Sequence, residues 1–429
     1  MTWRDWWRKG RQAGTTCLVA AVLQASPAAG GPARQALPQV AHPASSSIGA
    51  LRSHAGDAPT ATDRPPPYGD FLDGVSCAAG SCVAVGVDRL RGGTIAPLEE
   101  RWDGSVWGPI VPSSGRFLAR AVSCPGPRSC MAIGQVQGLA ATHRALLAER
   151  WDARTWAPQA LALPSGTNLA LATAVSCATR SSCQLVGVYG TTGHQAGLFA
   201  DGWDGSNWRL ETVPTMKGVL NVPEVYGLSC PAPDFCEAVG VGGGDARLAG
   251  PGSPLAGTGA LVEVWDGRSW RSQDAPNADE GPLQAVSCAS VRFCEAVGVV
   301  SKGTAMTETW DGDKWSGRQV HLRAPAGTDQ LNSLSCTSAS RCVATGGDGV
   351  GASLVSWDGT TWRTERVRGK GSSALNGVSC STSKLCEAVG VKWGASRVAT
   401  AAALAEAWNG ASWSIQSVPT TAAANSIAA

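Results

Sequence analysis

The chain has 429 residues, with 35 Lys and Arg against 33 Asp and Glu, and a formal net charge of +2 at pH 7. A near-neutral chain offers no electrostatic footprint for nucleic acid or an anionic membrane surface, so the composition argues against both partners. The length would suit two or three ordinary domains, but one repeated pattern fills residues 71 to about 420 and leaves room for only one.

Residues 1–29 have the features of a secretory signal peptide. Basic side chains extend to Arg11, and a modestly apolar run follows from Thr15 to Leu23. This run is too short for a transmembrane helix. We interpret the segment as a cleaved signal, with a retained anchor as the alternative.

The remaining boundaries follow from composition. Residues 30–67 are rich in Ala, Pro and Ser, a composition that buries too little apolar surface to fold. We interpret this segment as a disordered spacer, residues 68–421 as the folded domain, and residues 422–429 as a disordered tail.

The folded domain contains seven copies of one pattern, with a period near 50 residues. Each copy has a Ser-Cys pair, a second cysteine five or six residues later, a glycine four residues after that, and two tryptophans. A period of this length indicates an array of supersecondary units. The cysteine pairs are Cys77/Cys82, Cys124/Cys130, Cys177/Cys183, Cys230/Cys236, Cys288/Cys294, Cys336/Cys342 and Cys380/Cys386.

These cysteines predict one disulfide in each copy. A tight turn separates the two members, and directly opposed strand positions supply the Cα separation of roughly 4.4–6.8 Å that a disulfide needs. Pairing inside every copy indicates an oxidising compartment. The alternative, a metal site, needs four ligands brought together, whereas each copy supplies only two thiols.

Each copy is predicted to form four antiparallel strands. In the first copy the first two strands are Leu72–Cys77 and Cys82–Val87. The last two are joined by a Trp-Asp-Gly-x-x-Trp hairpin, because Asp-Gly favours the left-handed backbone of tight turns. Its two rings are expected to face each other. The pairs are Trp102/Trp107, Trp151/Trp156, Trp203/Trp208, Trp265/Trp270, Trp310/Trp315, Trp357/Trp362 and Trp408/Trp413.

Small side chains predict which strand is innermost. Strands that converge on an axis are crowded, and a small residue stands three positions before each leading cysteine: Gly74, Ala121, Ala174, Gly227, Ala285, Ser333 and Gly377. We therefore expect the first strand at the axis and the fourth at the outer edge. Four-stranded sheets repeated radially form a β-propeller. The sequence predicts an all-β, seven-bladed β-propeller of four-stranded antiparallel blades, with one disulfide per blade.

The ring is predicted to close without a shared blade. Each copy contains its own four strands, and residues 30–67 hold no strand pattern. We therefore expect blade 1 to pack directly against blade 7, with Val75 and Val85 facing Val378 and Val389.

The repeat motif resembles those of two propeller families. The Ser-Cys…Cys-x-Ala-Val-Gly and Trp-Asp-Gly-x-x-Trp elements of residues 287–315 are similar to repeats of kelch-like propellers and of secreted bacterial propellers. The resemblance covers about 350 residues and implies the fold. It departs from kelch repeats in the disulfides, and in the double glycine, which occurs at the repeated glycine position only as Gly346-Gly347.

Antiparallel connectivity sorts the loops into two rims. The uniform rim carries the cysteine turns and the Asp-Gly turns, and the variable rim carries the connections between second and third strands and between copies. Function usually lies on variable loops held by a rigid scaffold. The candidate ligand-binding residues are therefore Asp88, Arg89, Tyr189, His194, Asp245, Arg247, Lys302, Asp348 and Trp393. Tyr189 and Trp393 can stack on a sugar or an apolar side chain, or pack beneath the rim.

No sequence motif indicates catalysis, a metal or a cofactor. The five histidines are scattered, and none belongs to a Ser-His-Asp set. An acidic residue stands two positions before the first tryptophan in six of the seven copies, which favours a structural role over a catalytic one. These residues are Glu100, Glu149, Asp201, Glu263, Glu308 and Glu406.

The sequence favours a secreted or cell-surface binding module over an enzyme. We expect a monomer that recognises an extracellular glycan or protein through the variable rim, without a transmembrane span. The alternative is an extracellular glycoside hydrolase or polysaccharide lyase. An acidic pair about 5–9.5 Å apart on the variable rim would favour that alternative.

Overall fold

The computed structural model describes residues 69–90, 94–110, 116–137, 146–191, 196–214, 223–242, 259–276, 281–299, 305–320, 330–347, 351–365, 372–394 and 400–419. Within these ranges the chain forms 28 strands and no helix. The predicted signal peptide, spacer and tail lie outside the described residues, and their boundaries stay predictions.

The strands fall into seven consecutive groups of four, one group for each predicted copy. Blades 1 to 3 comprise β1 (Gly69–Ala78), β2 (Ser81–Arg89), β3 (Ile95–Trp102), β4 (Trp107–Pro109), β5 (Phe117–Gly126), β6 (Ser129–Val136), β7 (Leu146–Trp151), β8 (Trp156–Gln159), β9 (Thr167–Thr179), β10 (Ser182–Thr191), β11 (Ala196–Trp203) and β12 (Trp208–Glu211). Blades 4 to 7 comprise β13 (Glu224–Ala232), β14 (Phe235–Val241), β15 (Ala260–Trp265), β16 (Trp270–Ser272), β17 (Leu283–Ser290), β18 (Phe293–Val299), β19 (Ala305–Trp310), β20 (Trp315–Val320), β21 (Leu331–Ser338), β22 (Arg341–Gly347), β23 (Ala352–Trp357), β24 (Trp362–Thr364), β25 (Ser373–Thr382), β26 (Leu385–Trp393), β27 (Ala401–Trp408) and β28 (Trp413–Gln416).

Within each blade the strands pair antiparallel in sequence order. The first strands of the blades contact one another in turn, and β25 contacts β1, so they close a ring around the axis. A Cβ added to Gly227 would lie 2.9 Å from the Cα atom of Ala285 in the next blade, which shows the crowding that small residues relieve. The all-β, seven-bladed fold and its innermost first strand are confirmed.

The hydrophobic cores lie between neighbouring blades. Met131 and Ile133 of blade 2, for example, pack with Leu185 and Phe199 of blade 3. Each sheet therefore buries both faces against its neighbours, as radially stacked sheets must.

The predicted disulfides are present in every blade, and each links the first strand of a blade to its second. The bridges are Cys77–Cys82, Cys124–Cys130, Cys177–Cys183, Cys230–Cys236, Cys288–Cys294, Cys336–Cys342 and Cys380–Cys386. The Cα separation of roughly 4.4–6.8 Å expected for these disulfides is wrong. The seven Cα–Cα distances are only 3.9–4.1 Å. The physical reason is that opposed residues of antiparallel strands approach to about 4.5 Å at their closest positions, near the short end of the range for disulfides.

The second cysteine of each bridge is a core residue, which the sequence analysis did not predict. The pattern places these cysteines beside the turns of the uniform rim, yet all seven are at most 3% exposed: Cys82, Cys130, Cys183, Cys236, Cys294, Cys342 and Cys386. Each lies on a second strand, directly opposite the first tryptophan of its blade. Because neighbouring blades cover that strand on both faces, these positions are structural and do not form part of a ligand-binding surface.

The predicted tryptophan pairs are also present in every blade. The paired rings lie 5.4–5.9 Å apart between centroids. Each blade is thus fixed by a disulfide between its first two strands and by a ring pair between its last two.

The serine before each leading cysteine links one blade to the next. In all seven cases its Oγ accepts a hydrogen bond of 2.9 Å from the backbone N–H of the leading cysteine in the following blade. The pairs are Ser76–Cys124, Ser123–Cys177, Ser176–Cys230, Ser229–Cys288, Ser287–Cys336, Ser335–Cys380 and Ser379–Cys77. The last pair joins blade 7 to blade 1, so the series of hydrogen bonds forms a closed ring.

Blade 1 packs directly against blade 7, and β28 forms the outer edge of blade 7 with no further described strand paired to it, although one pair of residues joins the two sheets. Val75 of blade 1 packs against a core that includes Val389 and Ala405 of blade 7, as predicted. The predicted roles of Val85 and Val378 are wrong, because Val85 packs against blade 2 and Val378 against blade 6. Successive side chains of a strand alternate between its two faces, and the sequence does not say which face meets which neighbour.

One backbone contact at the closure was not predicted. Gly69, at the start of β1, pairs in parallel with Ala401, at the start of β27, and this pairing joins the two blades into one eight-stranded sheet. The side-chain amide of Asn376 also donates a hydrogen bond of 2.9 Å to the carbonyl oxygen of Leu72. These contacts add to the core packing that closes the ring.

The glycine after each second cysteine faces a β-bulge in the first strand. A Cβ atom at any of these positions would overlap a backbone carbonyl oxygen of that strand: Gly86, Gly134, Gly187, Gly240, Gly298, Gly346 and Gly390. Opposite each glycine the register slips by one residue, which leaves one first-strand residue without a Cα partner. A bulge of this kind redirects a side chain.

Candidate functional site

The uniform rim is occupied by turn structure. In the Asp-Gly turn of blade 1, Oδ1 of Asp103 accepts hydrogen bonds from the backbone N–H groups of Ser105 at 2.8 Å and Val106 at 3.0 Å. The same two bonds occur at Asp152, Asp204, Asp266, Asp311, Asp358 and Asn409. These repeated side chains therefore cap turns, and their role is structural.

Five predicted site residues lie outside the described residues. They are His194, Asp245, Arg247, Lys302 and Asp348. The other four are Asp88, Arg89, Tyr189 and Trp393, and all of them lie at the variable-rim ends of second strands.

Two predicted residues, Arg89 and Trp393, lie on either side of the junction of blades 1 and 7. Arg89 pairs with Gly69, Gly69 pairs with Ala401, and Ala401 pairs with Trp393, so the closure contact brings the ends of β2 and β26 together. The guanidinium of Arg89 lies 4.8 Å from the centroid of the Phe71 ring. Trp393 packs against the core that contains Phe71.

We call Phe71, Arg89 and Trp393 the junction surface. Arg89 and Trp393 are both half-buried, so each keeps part of its side chain accessible at the variable rim. Asp88 lies next to them but is buried, and its Cα partner across the strands is Asp70, which is buried too. The junction surface thus exposes part of one cation and part of one aromatic ring, Trp393, while the Phe71 ring and the two carboxyl groups beneath are buried.

Tyr189 lies away from the junction. It packs against the core between blades 2 and 3, and a Cβ added to Gly197 would contact its ring at 3.3 Å. This packing favours the structural alternative for Tyr189, so its replacement would test the fold as much as a binding site.

The recurring acids before the first tryptophan are buried between blades. All six are at most 1% exposed. Asp201 accepts a hydrogen bond from the backbone N–H of Ala162 at 3.0 Å, and Glu263 accepts one from the Ser272 hydroxyl at 2.7 Å. Burial raises the pKa of Glu100, Asp201 and Glu263 to about 7 in each case. Their location indicates a structural role, as the sixfold recurrence suggested.

Glu237 is a further buried acid, and it gives a testable pH dependence. Burial raises its pKa from 4.5 to about 9, while the nearby Gln273 side chain opposes the rise. The folded chain binds this proton more tightly than the unfolded chain, so the stability it contributes is complete below pH 4.5 and is lost as the pH rises towards 9. We expect the melting temperature to fall over this range, and to fall less in Glu237→Gln.

The matched control for this titration is Asp103→Asn. Hydrogen bonds in its turn, first of all from Val106, lower the Asp103 pKa to about 2, outside the window in which Glu237 titrates. Differential scanning calorimetry from acid to alkaline pH is the measurement. Equal slopes for the wild type and Glu237→Gln would contradict the assignment of a buried proton to Glu237.

The seven bulges form a second candidate site, at the axis. Each bulged residue lies on an innermost strand, is half-buried and carries a polar side chain: Asp73, Arg120, Thr173, Tyr226, Gln284, Asn332 and Asn376. We call this set the axial ring. Apart from the Gly69–Ala401 contact of β1, each first strand pairs with a neighbour on one edge only, and its other edge borders the central channel.

Electrostatic coupling shows that members of the axial ring share one space. The charge of Arg120 in blade 2 lowers the pKa both of Asp73 in blade 1 and of Glu224 in blade 4, against the larger effect of burial. Burial is the main cause at Asp73, whose pKa rises to about 6. The Tyr226 hydroxyl donates to Glu224 Oε2 at 3.0 Å. Arg120 of blade 2 therefore lies close enough to carboxyl groups of blades 1 and 4 to act on both.

The axial ring was not predicted from the sequence. Its signal was present, because the residue just before each small inner-strand position is polar in all seven copies, and six residue types occur there. A polar residue in an otherwise apolar strand is ambiguous until the bulge is known, because the bulge decides where the side chain points.

Within the described ranges, no helix is long and apolar enough to cross a membrane. The same part of the chain holds no group of three His, Cys, Asp or Glu side chains placed to bind a metal ion.

The fold and its two rims define the chain as a seven-bladed β-propeller. The sequence matches no protein-family model, and no curated protein matches it significantly. Among solved structures, it is similar to an ulvan lyase of polysaccharide lyase family PL25, with 11% identity, a TM-score of 0.52, and coverage of 82% of this chain and 96% of that one.

Two further structures show the same kind of likeness. A puromycin hydrolase has 12% identity and a TM-score of 0.53, over 82% of this chain but 54% of that one, so the chain spans about half of that protein. The six-bladed fungal lectin of Aleuria aurantia has 14% identity and a TM-score of 0.44, over 83% of this chain and 98% of that one. At these identities the likeness concerns the propeller fold alone.

Proposed function

We propose that this protein is a secreted, monomeric binding module that recognises an extracellular glycan through the variable rim. The observation that carries the proposal is the junction surface, where the Arg89 guanidinium lies 4.8 Å from the Phe71 ring centroid, next to Trp393. The partly accessible Trp393 ring can stack on the apolar face of a sugar, and the Arg89 guanidinium can donate hydrogen bonds to its hydroxyls.

The disulfides support the extracellular part of the proposal. Seven bridges between neighbouring strands are stable in an oxidising compartment and rare in a reducing one. Together with the signal-like residues 1–29, they favour export from the cytoplasm. The glycine after the second strand and the tryptophan hairpins support the resemblance to kelch-like and secreted bacterial propellers.

A glycoside hydrolase or lyase is the weaker proposal. Such enzymes commonly need two carboxyl groups that reach the substrate. In the described part of the chain the recurring acids are buried between blades, and Asp70 and Asp88 at the variable rim are only 3% and 5% exposed. These acids support a binding module, in which buried carboxyl groups serve the fold, whereas Asp73 and Glu224 are half-buried, lie near Arg120 and are the described carboxyl groups that an enzyme would use.

The proposal is tested at the junction surface. A glycan array probed with the purified protein should give positive sugars, and Arg89→Ala and Trp393→Ala should each weaken binding to them about tenfold, since Arg and Trp contacts dominate many binding energies. Isothermal titration calorimetry with the free sugars measures the change. Arg268→Ala is the matched control, because Arg268 is exposed in an Asp-Gly turn of the uniform rim.

Two outcomes would overturn the proposal. The first is an array on which the wild-type protein binds no glycan, which would leave a protein ligand as the better explanation. The second is a glycan whose affinity falls in Arg268→Ala but stays unchanged in Arg89→Ala and Trp393→Ala.

A further inference from the structure

The axial ring is the one position of the repeated inner-strand motif that is polar in all seven blades and yet varies in residue type. The positions around it repeat closely: a small residue follows it, then Val or Leu, Ser and Cys. At the bulge itself six residue types occur in seven blades, and all are polar. The same β-bulge therefore places one side chain at the axis in each of the seven blades, and only the residue type varies from blade to blade.

The ring has two chemically distinct halves. Asp73, Arg120, Thr173 and Tyr226, from blades 1 to 4, supply a carboxyl group, a guanidinium and two hydroxyls. Blades 5 to 7 supply three consecutive primary amides, from Gln284, Asn332 and Asn376. Each amide offers both a donor and an acceptor, so this half can bond to either partner group.

One group in the ring carries unused bonding capacity. Oδ1 of Asp73 is buried and has no hydrogen-bond partner among the described residues. A buried polar atom without a partner costs free energy, and a ligand that bonds to it would recover that cost. Asn376, by contrast, already donates to the carbonyl oxygen of Leu72.

This chemistry selects among ligand classes. A phosphate or sulfate needs cations that are not already balanced, whereas Arg120 lies close to Asp73 and Glu224, and Arg89, the second cation nearby, also acts on Asp73. An apolar ligand would desolvate the ring, in which Thr173, Tyr226 and Asn376 already donate to protein oxygens but the buried Asp73 Oδ1 has no partner among the described residues. Hydroxyl groups both donate and accept, as the amides, hydroxyls and carboxyl group of the ring require.

We infer that the central channel is a second saccharide site, in which one uncharged sugar residue of a glycan inserts end-on and bonds to the axial ring. This inference rests on the proposed function and adds a subsite that binds the terminal sugar residue of the glycan. The junction surface would hold the adjoining part of the chain at the variable rim.

The test uses conservative apolar replacements of the amides. Asn332→Leu and Gln284→Met keep the side-chain size but remove the bonding groups, and each should weaken binding of an array-positive glycan about tenfold. Asn207→Leu, on the exposed uniform rim, is the matched control and should leave binding unchanged. Thermal melting of each variant separates lost binding from lost folding.

Free monosaccharides distinguish this site from the junction surface. Glucose, galactose, mannose, fucose and N-acetylglucosamine are titrated into the wild type and into Asn332→Leu by saturation-transfer NMR. We expect at least one neutral sugar to bind the wild type and to be lost in Asn332→Leu. Folded Asn332→Leu and Gln284→Met that keep full affinity, while Arg89→Ala loses it, would overturn the axial site and leave the proposed function standing. An array without any positive glycan would overturn both.

Discussion

Reduction of all seven disulfides is expected to unfold the propeller. Each bridge closes a loop of only five or six residues in sequence separation, and the chain-entropy relation gives such a loop about 2 kcal/mol. Seven bridges together would contribute about 15 kcal/mol if they were additive, against a typical net stability on the order of 10 kcal/mol. The reduced chain is therefore left with no stability margin.

The measurement compares oxidised and reduced protein after the same denaturation and refolding step. Because the second cysteine of every bridge is buried, reduction is carried out in denaturant, and the chain is then returned to buffer with or without reductant. Tryptophan fluorescence reports the ring pairs that close each blade. A reduced chain that recovers the oxidised spectrum and melting temperature would show that the bridges are dispensable.

Gly346→Ala is expected to destabilise the propeller by about 3 kcal/mol. The new Cβ would overlap the carbonyl oxygen of Gln330 in the facing first strand, and a backbone atom cannot move aside without breaking the strand pairing. The bulge that carries Asn332 is two residues along that strand, so the variant should also weaken glycan binding.

Gly351→Ala is the control in the same blade. A Cβ at Gly351 would have no heavy atom within 4 Å, and the expected change is below about 0.5 kcal/mol. Urea denaturation of both variants gives the two free energies of unfolding. Equal stabilities would refute the close approach between the second-strand glycine and the bulge.

The sequence predicted the blades because their signals are local. A cysteine pair across a tight turn, and a tryptophan pair across an Asp-Gly turn, each specify one hairpin whatever the rest of the chain does. Seven such units at a constant period leave few other architectures. Even the order of strands from axis to edge followed from one row of small residues, from Gly74 to Gly377.

Contacts between blades were much harder to predict. The hydrogen bonds between each serine and the leading cysteine of the next blade join residues 45 to 302 positions apart in sequence. Nothing local to Ser379 indicates that its hydroxyl accepts a hydrogen bond from the N–H of Cys77. The faces of Val85 and Val378 were misassigned for the same reason. The Gly69–Ala401 pairing likewise depends on how the ring closes.

The candidate site was predictable only in part. Arg89 and Trp393 could be proposed from their place on the variable rim, but their convergence needed the closure of blade 7 on blade 1. Tyr189 could not be assigned to core or surface, because an aromatic residue at a strand end suits both. The axial ring could not be predicted because it depends on seven bulges in the strand pairing. In the sequence each bulge is marked only by a polar residue and a facing glycine, and neither specifies a bulge by itself.

A crystal structure of the propeller with an array-positive glycan would test the central claim most directly. We predict seven disulfide-linked blades, with one sugar residue in the channel within hydrogen-bonding distance of Asn332 and Asp73, and the next residue against Trp393. A glycan bound on the uniform rim, beside the Asp-Gly turns, with an unoccupied channel, would contradict the account.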